Sequence, residues 1–455
     1  MRNNIFLITL FLSFFSAQSQ VESGEQGKMT YSFTLQQAID HALQNNYTAI
    51  NAGRDIEIAR QKKWETTAAG LPQINAGVDY LNNFKIRQQG VSGSAFGDPS
   101  ADPNEISTFG FGTKQSMDGH ATLSQLIFDG SYIVALQASK TYLQFYENSK
   151  KKTDNEIREM VITSYGNVLL AEESIRVLER NRTILDKTLS DTRETFKNGL
   201  IEEENVEQLQ ITLATVNSSL SNSRRLKDIA YNMLKINLGM ETEDDLTLTE
   251  KLDALADSNL DLALSKGEFN FKNNIDYKLG ENFTSQRRLE MQREKSRALP
   301  SLAAAFNFGY NTFSQEFTFF DSEQKWYNYS NLGVSLSVPI FSSFGRSAKT
   351  QQAKIALEQA KTQLTETEQK LKLQYENARS QYEFTVEEYA TSKSNLNLAE
   401  RIERKQQTKF TEGLSSSFDF SEAQRQLYTA QQNFLQSMVN VITARAALEK
   451  ITNGN

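Results

Sequence analysis

The chain has 455 residues, a formal net charge of −7 and no cysteine. An acidic chain without a basic block is a poor candidate for nucleic-acid binding, and the lack of cysteine excludes thiol chemistry and disulfides. The two histidines, His41 and His120, lie far apart in sequence, so we expect no histidine-based metal site. The acidic pairs combine with no histidine, cysteine or phosphate-binding loop, so we expect neither a cofactor nor enzymatic activity.

The first twenty residues have the pattern of a secretory signal peptide. One basic residue precedes an apolar run from Ile5 to Phe15, and small residues follow, so cleavage is expected between Ala17 and Gln20. Beyond this segment no apolar run reaches the ~18 residues that suggest a membrane helix. The sequence therefore predicts a signal peptide over 1–20, and a mature chain that could cross a membrane only with β-strands.

Two long helical hairpins dominate the mature chain. In each, apolar residues recur at alternating steps of four and three in a polar background, which is the heptad pattern of a coiled coil. Each run is interrupted by a Gly-Leu pair, and glycine ends a helix readily because it adopts a left-handed backbone without penalty. The hairpins are predicted over about 131–238 and 345–450. The two interrupting pairs are Gly199-Leu200 and Gly413-Leu414.

Ahead of each hairpin the hydrophobic period changes to two, which indicates β-strands. Strands are predicted over about 73–84 and 119–128, and again over about 302–313 and 327–341. One face is large and apolar, and the other is small and polar. A soluble sheet packs such an apolar face on a core, whereas an outer-membrane barrel turns it to lipid. The signal peptide, the lack of cysteine and the strand lengths favour the barrel.

The order helix, strand, loop, strand, hairpin occurs twice, so the chain is a tandem duplication. Asn46 to Pro72 is matched by Asn274 to Pro300. Residues 31–69 are predicted to be helical, and residues 85–117, rich in Gly, Ser, Pro and Asp, to form a long exposed loop. The predicted organisation is a first repeat over 21–240, a solvated acidic connector over 241–269, a second repeat over 270–450 and a C-terminal tail over 451–455.

Four strands cannot close a barrel, because about eight are the fewest whose interior side chains can fill. Open sheet edges in lipid are forbidden, so identical chains must share their strands, and three copies would supply twelve. The predicted fold class is an α+β membrane protein. Its duplicated unit gives four strands of a shared twelve-stranded trimeric β-barrel, and its long coiled-coil hairpins form a periplasmic α-barrel.

This organisation resembles the TolC family of outer-membrane efflux channels over nearly the whole mature chain. The most specific matches are the tips Phe196–Leu200 and Phe410–Leu414 and the element Pro339–Arg346. The resemblance implies a homotrimer in the outer membrane of a Gram-negative bacterium, with the helices in the periplasm. It implies an exit duct of a tripartite efflux pump for small molecules, with an inner-membrane pump and a periplasmic adaptor. The adaptor would dock at Gly199, Leu200, Gly413 and Leu414.

The resemblance also implies residues at a pore constriction. Family members often carry acidic residues just past the second glycine, where this chain has Asp419 and Glu422, and the first repeat has Asn205 at the position of Asp419. Rings of carboxylates from three chains would favour cations. The alternative is that two carboxylates in the first turns of a helix complement its dipole. Both interpretations stay open on the sequence alone.

One part of the family pattern is changed. A tyrosine and an arginine that help to lock the family's tip are replaced here by Phe410 and Ser415. Closure through the bulk of Phe196 and Phe410 is a hypothesis that follows. Two other functions remain open: the exit duct of a type I protein secretion system, and a periplasmic coiled-coil tether, which explains the heptads but not the strands.

Overall fold

The structure, a computed structural model, describes residues 29–92 and 106–452. The predicted signal peptide, residues 1–20, lies outside the described residues. Within these two ranges, every helix is either too short or too polar to span a membrane.

The elements follow the predicted order in both halves. The first repeat contains β1 (Thr30–Phe33), α1 (Leu35–Asn45), α2 (Tyr47–Ala68), β2 (Gln73–Asn82), β3 (Gln88–Ser92), β4 (Ile106–Gly110), β5 (Gln115–Asp129), α3 (Gly130–Lys197) and α4 (Glu203–Leu238). The rest of the chain contains β6 (Asp245–Leu248), α5 (Leu252–Ser258), short 3₁₀ helices at Leu264–Lys266 and Phe271–Asn273, α6 (Ile275–Ser296), β7 (Ser301–Ser314), β8 (Tyr327–Ser337), α7 (Gly345–Thr411) and α8 (Ser417–Thr452).

Equivalent helices of the two repeats have matching lengths. Helices α2 and α6 both contain 22 residues, α3 and α7 contain 68 and 67, and α4 and α8 both contain 36. At 1.5 Å per residue, α3 and α7 are each about 100 Å long. The duplication therefore extends to the length of each long helix.

A pair of asparagines ties each repeat together in the same way. The side-chain oxygen of Asn46 accepts the backbone N–H of Thr48, and that of Asn274 accepts the N–H of Asp276, so both cap a helix. The side-chain nitrogen of Asn46 donates to the Asn237 carbonyl at 2.8 Å. The same atom of Asn274 donates to the carbonyl of Ile451 at 3.0 Å. Each asparagine thus joins the start of the short helix to the end of the hairpin.

The long strands form one antiparallel sheet in the order β2-β5-β7-β8. Ile74, Leu123, Phe306 and Leu332 lie side by side across the four strands. On the opposite face Thr122 donates to the Asn307 side chain at 2.7 Å, and Asn307 donates to Asn331 at 2.9 Å. The alternation in the sequence is therefore an apolar face and a polar face of one sheet.

The core of the helical body follows the heptad seams. Ile157, Val161 and Tyr165 of α3 are fully buried in a cluster that α4, α7 and α8 complete. The Tyr165 hydroxyl donates to the Phe33 carbonyl at 3.2 Å, so the N-terminal segment is attached to the same core. The four-three spacing works as predicted because it keeps one narrow apolar stripe facing the neighbouring helices.

The prediction of a solvated acidic connector over 241–269 is wrong. Strand β6 lies in this stretch and pairs in parallel with β1, and Leu246, Leu252 and Ala256 are buried against the helices. The hydroxyl of Tyr382 donates to the carbonyl of Asp261 at 2.9 Å. The acidic side chains of this stretch predict solvation, but the leucines between them pack against the helices.

Three boundaries also differ from the prediction. Residues 30–33 form β1 and are not helical. The predicted loop over 85–117 contains the β3–β4 hairpin and the start of β5. Strand β8 ends at Ser337, short of the predicted residue 341, because Pro339 has no N–H to continue the ladder.

Candidate functional site: the exposed sheet and the hairpin tips

The apolar face of the sheet is uncovered in the single chain. Ile74 and Val78 of β2 are 74% and 72% exposed, and Leu332 of β8 is 70% exposed. No element among residues 29–92 and 106–452 packs over them, although the helical body buries its own apolar residues. A sheet face of this size left open to the surroundings marks a surface that is covered in the working protein.

Both hairpin tips have the same turn. Gly199 and Gly413 have φ values of 69° and 72°, the left-handed conformation that glycine adopts readily. Gly199 N–H donates to Phe196 O and Leu200 N–H to Thr195 O, which is the Schellman motif. Gly413 and Leu414 repeat both bonds one copy later. The Gly-Leu pairs are explained by this turn, and they leave Leu200 and Leu414 about three-quarters exposed, at 75% and 77%.

The two phenylalanines predicted at the constriction occupy different environments. The ring of Phe410 stacks on that of Phe420, with centroids 5.5 Å apart and planes 9° from parallel. Phe420 is fully buried among residues of the first hairpin, including Leu185 and Leu209. Phe196 is 37% exposed. The structure therefore places Phe410 in the packing between the hairpins and leaves Phe196 at the surface of the chain.

Asp419 forms a capping box at the start of α8. Its carboxylate accepts the Ser416 hydroxyl at 2.8 Å and the Ser416 backbone N–H at 3.3 Å, while its own N–H donates to the Ser416 hydroxyl oxygen. The donating hydroxyl holds the pKa of Asp419 below its usual range. The carboxylate thus serves the end of the helix, and it remains exposed and ionised.

Glu422 is paired on its own helix. Arg425 donates to it from Nε at 2.8 Å and from Nη2 at 2.6 Å, and Gln426 donates at 2.9 Å. The Arg425 guanidinium lowers the pKa of Glu422 and offsets its charge. Of the two predicted acidic positions, Asp419 is therefore the one that presents an unbalanced negative charge.

Asn205 connects the two tips. Its side-chain oxygen accepts the backbone N–H of Ser417 at 3.2 Å, so the return arm of the first hairpin contacts the start of α8. Asn205 and Asp419 are thus brought near each other within one chain. The hydroxyls of Thr212 and Ser421 make a second link between the same helices at 3.3 Å.

The structure adds a buried polar pair that the sequence reading missed. Gln424 donates a hydrogen bond to Glu403, and both side chains are buried between α7 and α8. Burial raises the pKa of Glu403. The signal was present in the seam: from Ala399, steps of four, three and four reach Glu403, Gln406 and Phe410. A carboxyl at a core position of a heptad predicts a buried acidic group.

Comparison with known proteins agrees with this architecture. Residues 285–454 match the family described as Outer membrane efflux protein, while no curated protein sequence matches the chain. The chain is similar to the crystal structure of CusC, with 15% identity, a TM-score of 0.73 and 96% of each chain covered. It is similar to the outer membrane channel CmeC of Campylobacter jejuni, with 17% identity, a TM-score of 0.69, and 92% of this chain and 85% of that chain covered.

A further similar structure is the open state of the outer membrane channel MtrE of Neisseria gonorrhoeae. It shares 18% identity and a TM-score of 0.68, over 92% of this chain and 88% of that chain. At these identities the structural similarity shows the fold. The predicted fold class, a duplicated unit with four strands and long helical hairpins, is confirmed.

Residues 285–454 thus match a family of outer-membrane efflux proteins, and the fold of nearly the whole chain is that of solved outer-membrane channels. The match of the second repeat and the shared fold agree with the predicted resemblance to the TolC family of outer-membrane efflux channels. The similar structures from Campylobacter jejuni and Neisseria gonorrhoeae are outer-membrane channels, which agrees with the expectation of a transport protein in the outer membrane.

Proposed function

We propose that three copies of this chain form the exit duct of a tripartite efflux pump for small molecules. The observation that carries the proposal is the uncovered apolar face of the β2-β5-β7-β8 sheet, with residues such as Ile74 and Leu332 exposed. In a closed barrel this face would turn outward to lipid. The polar face, which contains Asn307, would then line a water-filled interior. The two repeats, over 21–240 and 270–450, supply the strands and the wall in equal parts.

The free edges of the sheet support a shared barrel. β2 and β8 are the outer strands, and neither has a second partner among the described residues. Unpaired backbone groups are costly in lipid, so each edge must pair with another copy. Joining β8 of one chain to β2 of the next closes a ring of three chains and twelve strands. The hairpins of α3–α4 and α7–α8 then stand side by side as the wall of a periplasmic tunnel.

The exposed tips are the proposed docking site for a periplasmic adaptor. Leu200 and Leu414 extend from identical turns, and neither contributes to the packing between the hairpins. Two similar apolar points per chain would give an adaptor six repeated contacts around the trimer. The inner-membrane pump would be reached through the adaptor or directly at these tips.

Asp419 is the proposed determinant of cation selectivity at the tunnel mouth. It is exposed and ionised, whereas the charge of Glu422 is offset by Arg425. A ring of three Asp419 carboxylates would favour cations. We therefore expect Asp419→Asn to reduce selectivity more than Glu422→Gln does. Closure of the tunnel by the bulk of Phe196 and Phe410 belongs to the same proposal.

The decisive experiment is single-channel conductance of the purified protein in a planar bilayer. Discrete steps selective for cations are expected, with selectivity reduced in Asp419→Asn and kept in Glu366→Gln, an exposed carboxylate that pairs with Lys370 away from the tips. Steps with unchanged selectivity in Asp419→Asn would limit this residue to its role in the helix cap. A chain that remains soluble and monomeric without detergent would contradict the duct.

A second measurement addresses the closure. Phe196→Ala and Phe410→Ala together should raise the resting conductance, and an unchanged conductance would remove these side chains as the barrier. Efflux is then tested by the accumulation of a fluorescent substrate in cells that lack the gene and in cells that carry it again. Equal accumulation in both, with secretion of a protein restored, would favour the secretion duct.

A further inference from the structure

Three potential metal ligands meet on the polar face of the sheet. Asp79 of β2 lies directly opposite Asp118 of β5, and His120 follows Asp118 on the same face two residues later. His120 Nδ1 lies 3.0 Å from Asp118 Oδ1 and 3.6 Å from Asp79 Oδ2. One ligand atom from each of the three residues lies within 4.8 Å of the other two.

These distances suit three ligands around one divalent ion. Zinc binds nitrogen and carboxylate oxygen at about 2.0–2.2 Å, so ligand atoms at angles of 90–110° are about 2.8–3.6 Å apart. The separations from His120 to the two carboxylates lie at these values. Asp79 is 79% exposed as a side chain, so it can move toward an ion without disturbing the packing. Water would complete the coordination.

Neighbouring residues orient one of the three ligands and leave room for another. The Tyr329 hydroxyl donates to Asp118 Oδ1 at 3.0 Å, and a hydrogen bond of this kind orients a ligating carboxylate. Two glycines make room for the rings. A side chain at Gly77 would bring a carbon within 3.1 Å of His120 Nε2, and one at Gly309 would come within 2.7 Å of the Tyr329 ring.

The charge of the cluster also favours a cation. Asp79 and Asp118 carry two negative charges in adjacent strands, where like charges directly opposite each other destabilise a sheet. Within the part of the chain that the structure describes, His120 is the only basic group within salt-bridge distance of either carboxylate. A bound divalent ion would remove this repulsion.

We propose that Asp79, Asp118 and His120 bind one divalent first-row transition-metal ion per chain. An imidazole with two carboxylates suits zinc and its neighbours, whereas calcium takes six to eight oxygen ligands and magnesium prefers oxygen and water. In the proposed trimer three such sites would line the inside of the barrel. This proposal reverses the expectation of no histidine-based site. The further ligands are the carboxylates of Asp79 and Asp118 on adjacent strands, and not a second histidine.

The test uses the full-length protein in detergent, carrying no polyhistidine tag and stripped of metal with a chelator. Titration calorimetry with Zn²⁺ should show one saturable site per chain. His120→Gln and Asp118→Asn should each weaken binding by at least about tenfold, and Tyr329→Phe by less. The matched control is His41→Gln, because His41 is the other of the two histidines and lies in α1 against Tyr31 and Phe33. This control should bind Zn²⁺ as the parent does.

A spectroscopic readout identifies the ligand directly. With one equivalent of Cu²⁺, electron paramagnetic resonance should show coupling to a single imidazole nitrogen, lost in His120→Gln and retained in His41→Gln. Circular dichroism and trimer migration confirm that the variants are folded. No saturable Zn²⁺ binding, binding unchanged in His120→Gln, or equal affinity for Mg²⁺ would each overturn the site. None of these measurements depends on conduction, so failure here leaves the proposed duct standing.

Discussion

The two helical hairpins share their lengths and their turn, but they differ in what lies between their helices near the tip. The first is joined by apolar side chains, among them Leu185, Leu189 and Leu209. The second has the buried pair of Glu403 and Gln424. It also inserts Phe420 into the apolar cluster of the first hairpin. The duplication has thus kept the backbone and changed the chemistry of the contact.

Because of this difference, we expect the packing of the second hairpin near its tip to depend on pH and that of the first hairpin not to depend on it. Apolar packing contributes in the same way at any pH, whereas a buried carboxyl contributes according to its protonation. The buried hydroxyl of Tyr428 has no hydrogen-bond partner within residues 29–92 and 106–452, and it lies near this pair. Burial raises the pKa of Tyr428. We therefore expect the stability of the second hairpin to change more with pH than that of the first.

The largest effect is expected where the second hairpin enters the first. Phe420→Ala removes a fully buried ring and its stacking on Phe410, so it should cost about 3–5 kcal/mol of stability. Phe196→Ala, at the equivalent tip but exposed, should change stability by less than about 0.5 kcal/mol. Thermal unfolding of the detergent-solubilised protein, followed by circular dichroism, measures both. Similar losses would show that the two tips are packed alike.

The shared turn should give equal effects in the two hairpins. Gly199→Ala and Gly413→Ala each place a side chain on a left-handed residue, and no atom of the described part of the chain lies within 4 Å of the added carbon. Only the backbone penalty remains, about 1–2 kcal/mol for each. Hydrogen exchange of the tip peptides should rise to the same extent in both variants. A clear inequality would mean that the turns are not equivalent.

Helix capping should distinguish the two return arms. Ser416→Ala removes the hydroxyl of the capping box and should cost about 1 kcal/mol. Glu202 precedes α4 without a side-chain cap bond, so Glu202→Ala should have almost no effect. The check is hydrogen exchange in the first turns of α8 and α4. An equal loss of protection from hydrogen exchange in the two variants would contradict the proposed difference in capping.

The smallest effect concerns pH. Because burial raises the pKa of Glu403, its contribution to stability is full below its unfolded pKa and is lost as pH rises through the folded pKa. Glu403→Gln keeps the acceptor for Gln424 without the charge. It should therefore be more stable than the parent at neutral pH, by a few tenths to about 1 kcal/mol.

The gain from Glu403→Gln should disappear below about pH 3, where the carboxyl is protonated in both the folded and the unfolded state. Unfolding temperatures of the two proteins across this range give the comparison. The exposed Glu387→Gln on the same helix is the control and should show no gain. A gain in Glu403→Gln that stays constant with pH would separate the effect from ionisation.

Periodic features were predictable from the sequence because they are local. The heptad seams, the Gly-Leu turns and the alternation of Ile74, Ala76 and Val78 each depend on neighbours a few residues away. The asparagine caps at Asn46 and Asn274 lie within the matched segments that reveal the duplication.

Features that depend on distant partners could not be predicted in this way. Strand β1 has four residues and pairs with a segment far along the chain, so no local period marks it. The cluster of Asp79, Asp118 and His120 needs the register between β2 and β5. Glu403 is different, because it lies at a seam position and its burial could have been predicted from the heptad spacing. Its charge argued against that prediction.

The pairing of β1 with β6 has a consequence for the order in which the chain folds. Met29 N–H donates to Asp244 at 3.0 Å and Leu35 N–H to Glu250 at 2.6 Å, each across 215 residues. During export β1 therefore has no strand to pair with until the whole first repeat and β6 have followed it across the membrane. Contacts of such long range form slowly. Formation of the β1–β6 ladder would be a late step that fastens the first repeat only after its hairpin is complete.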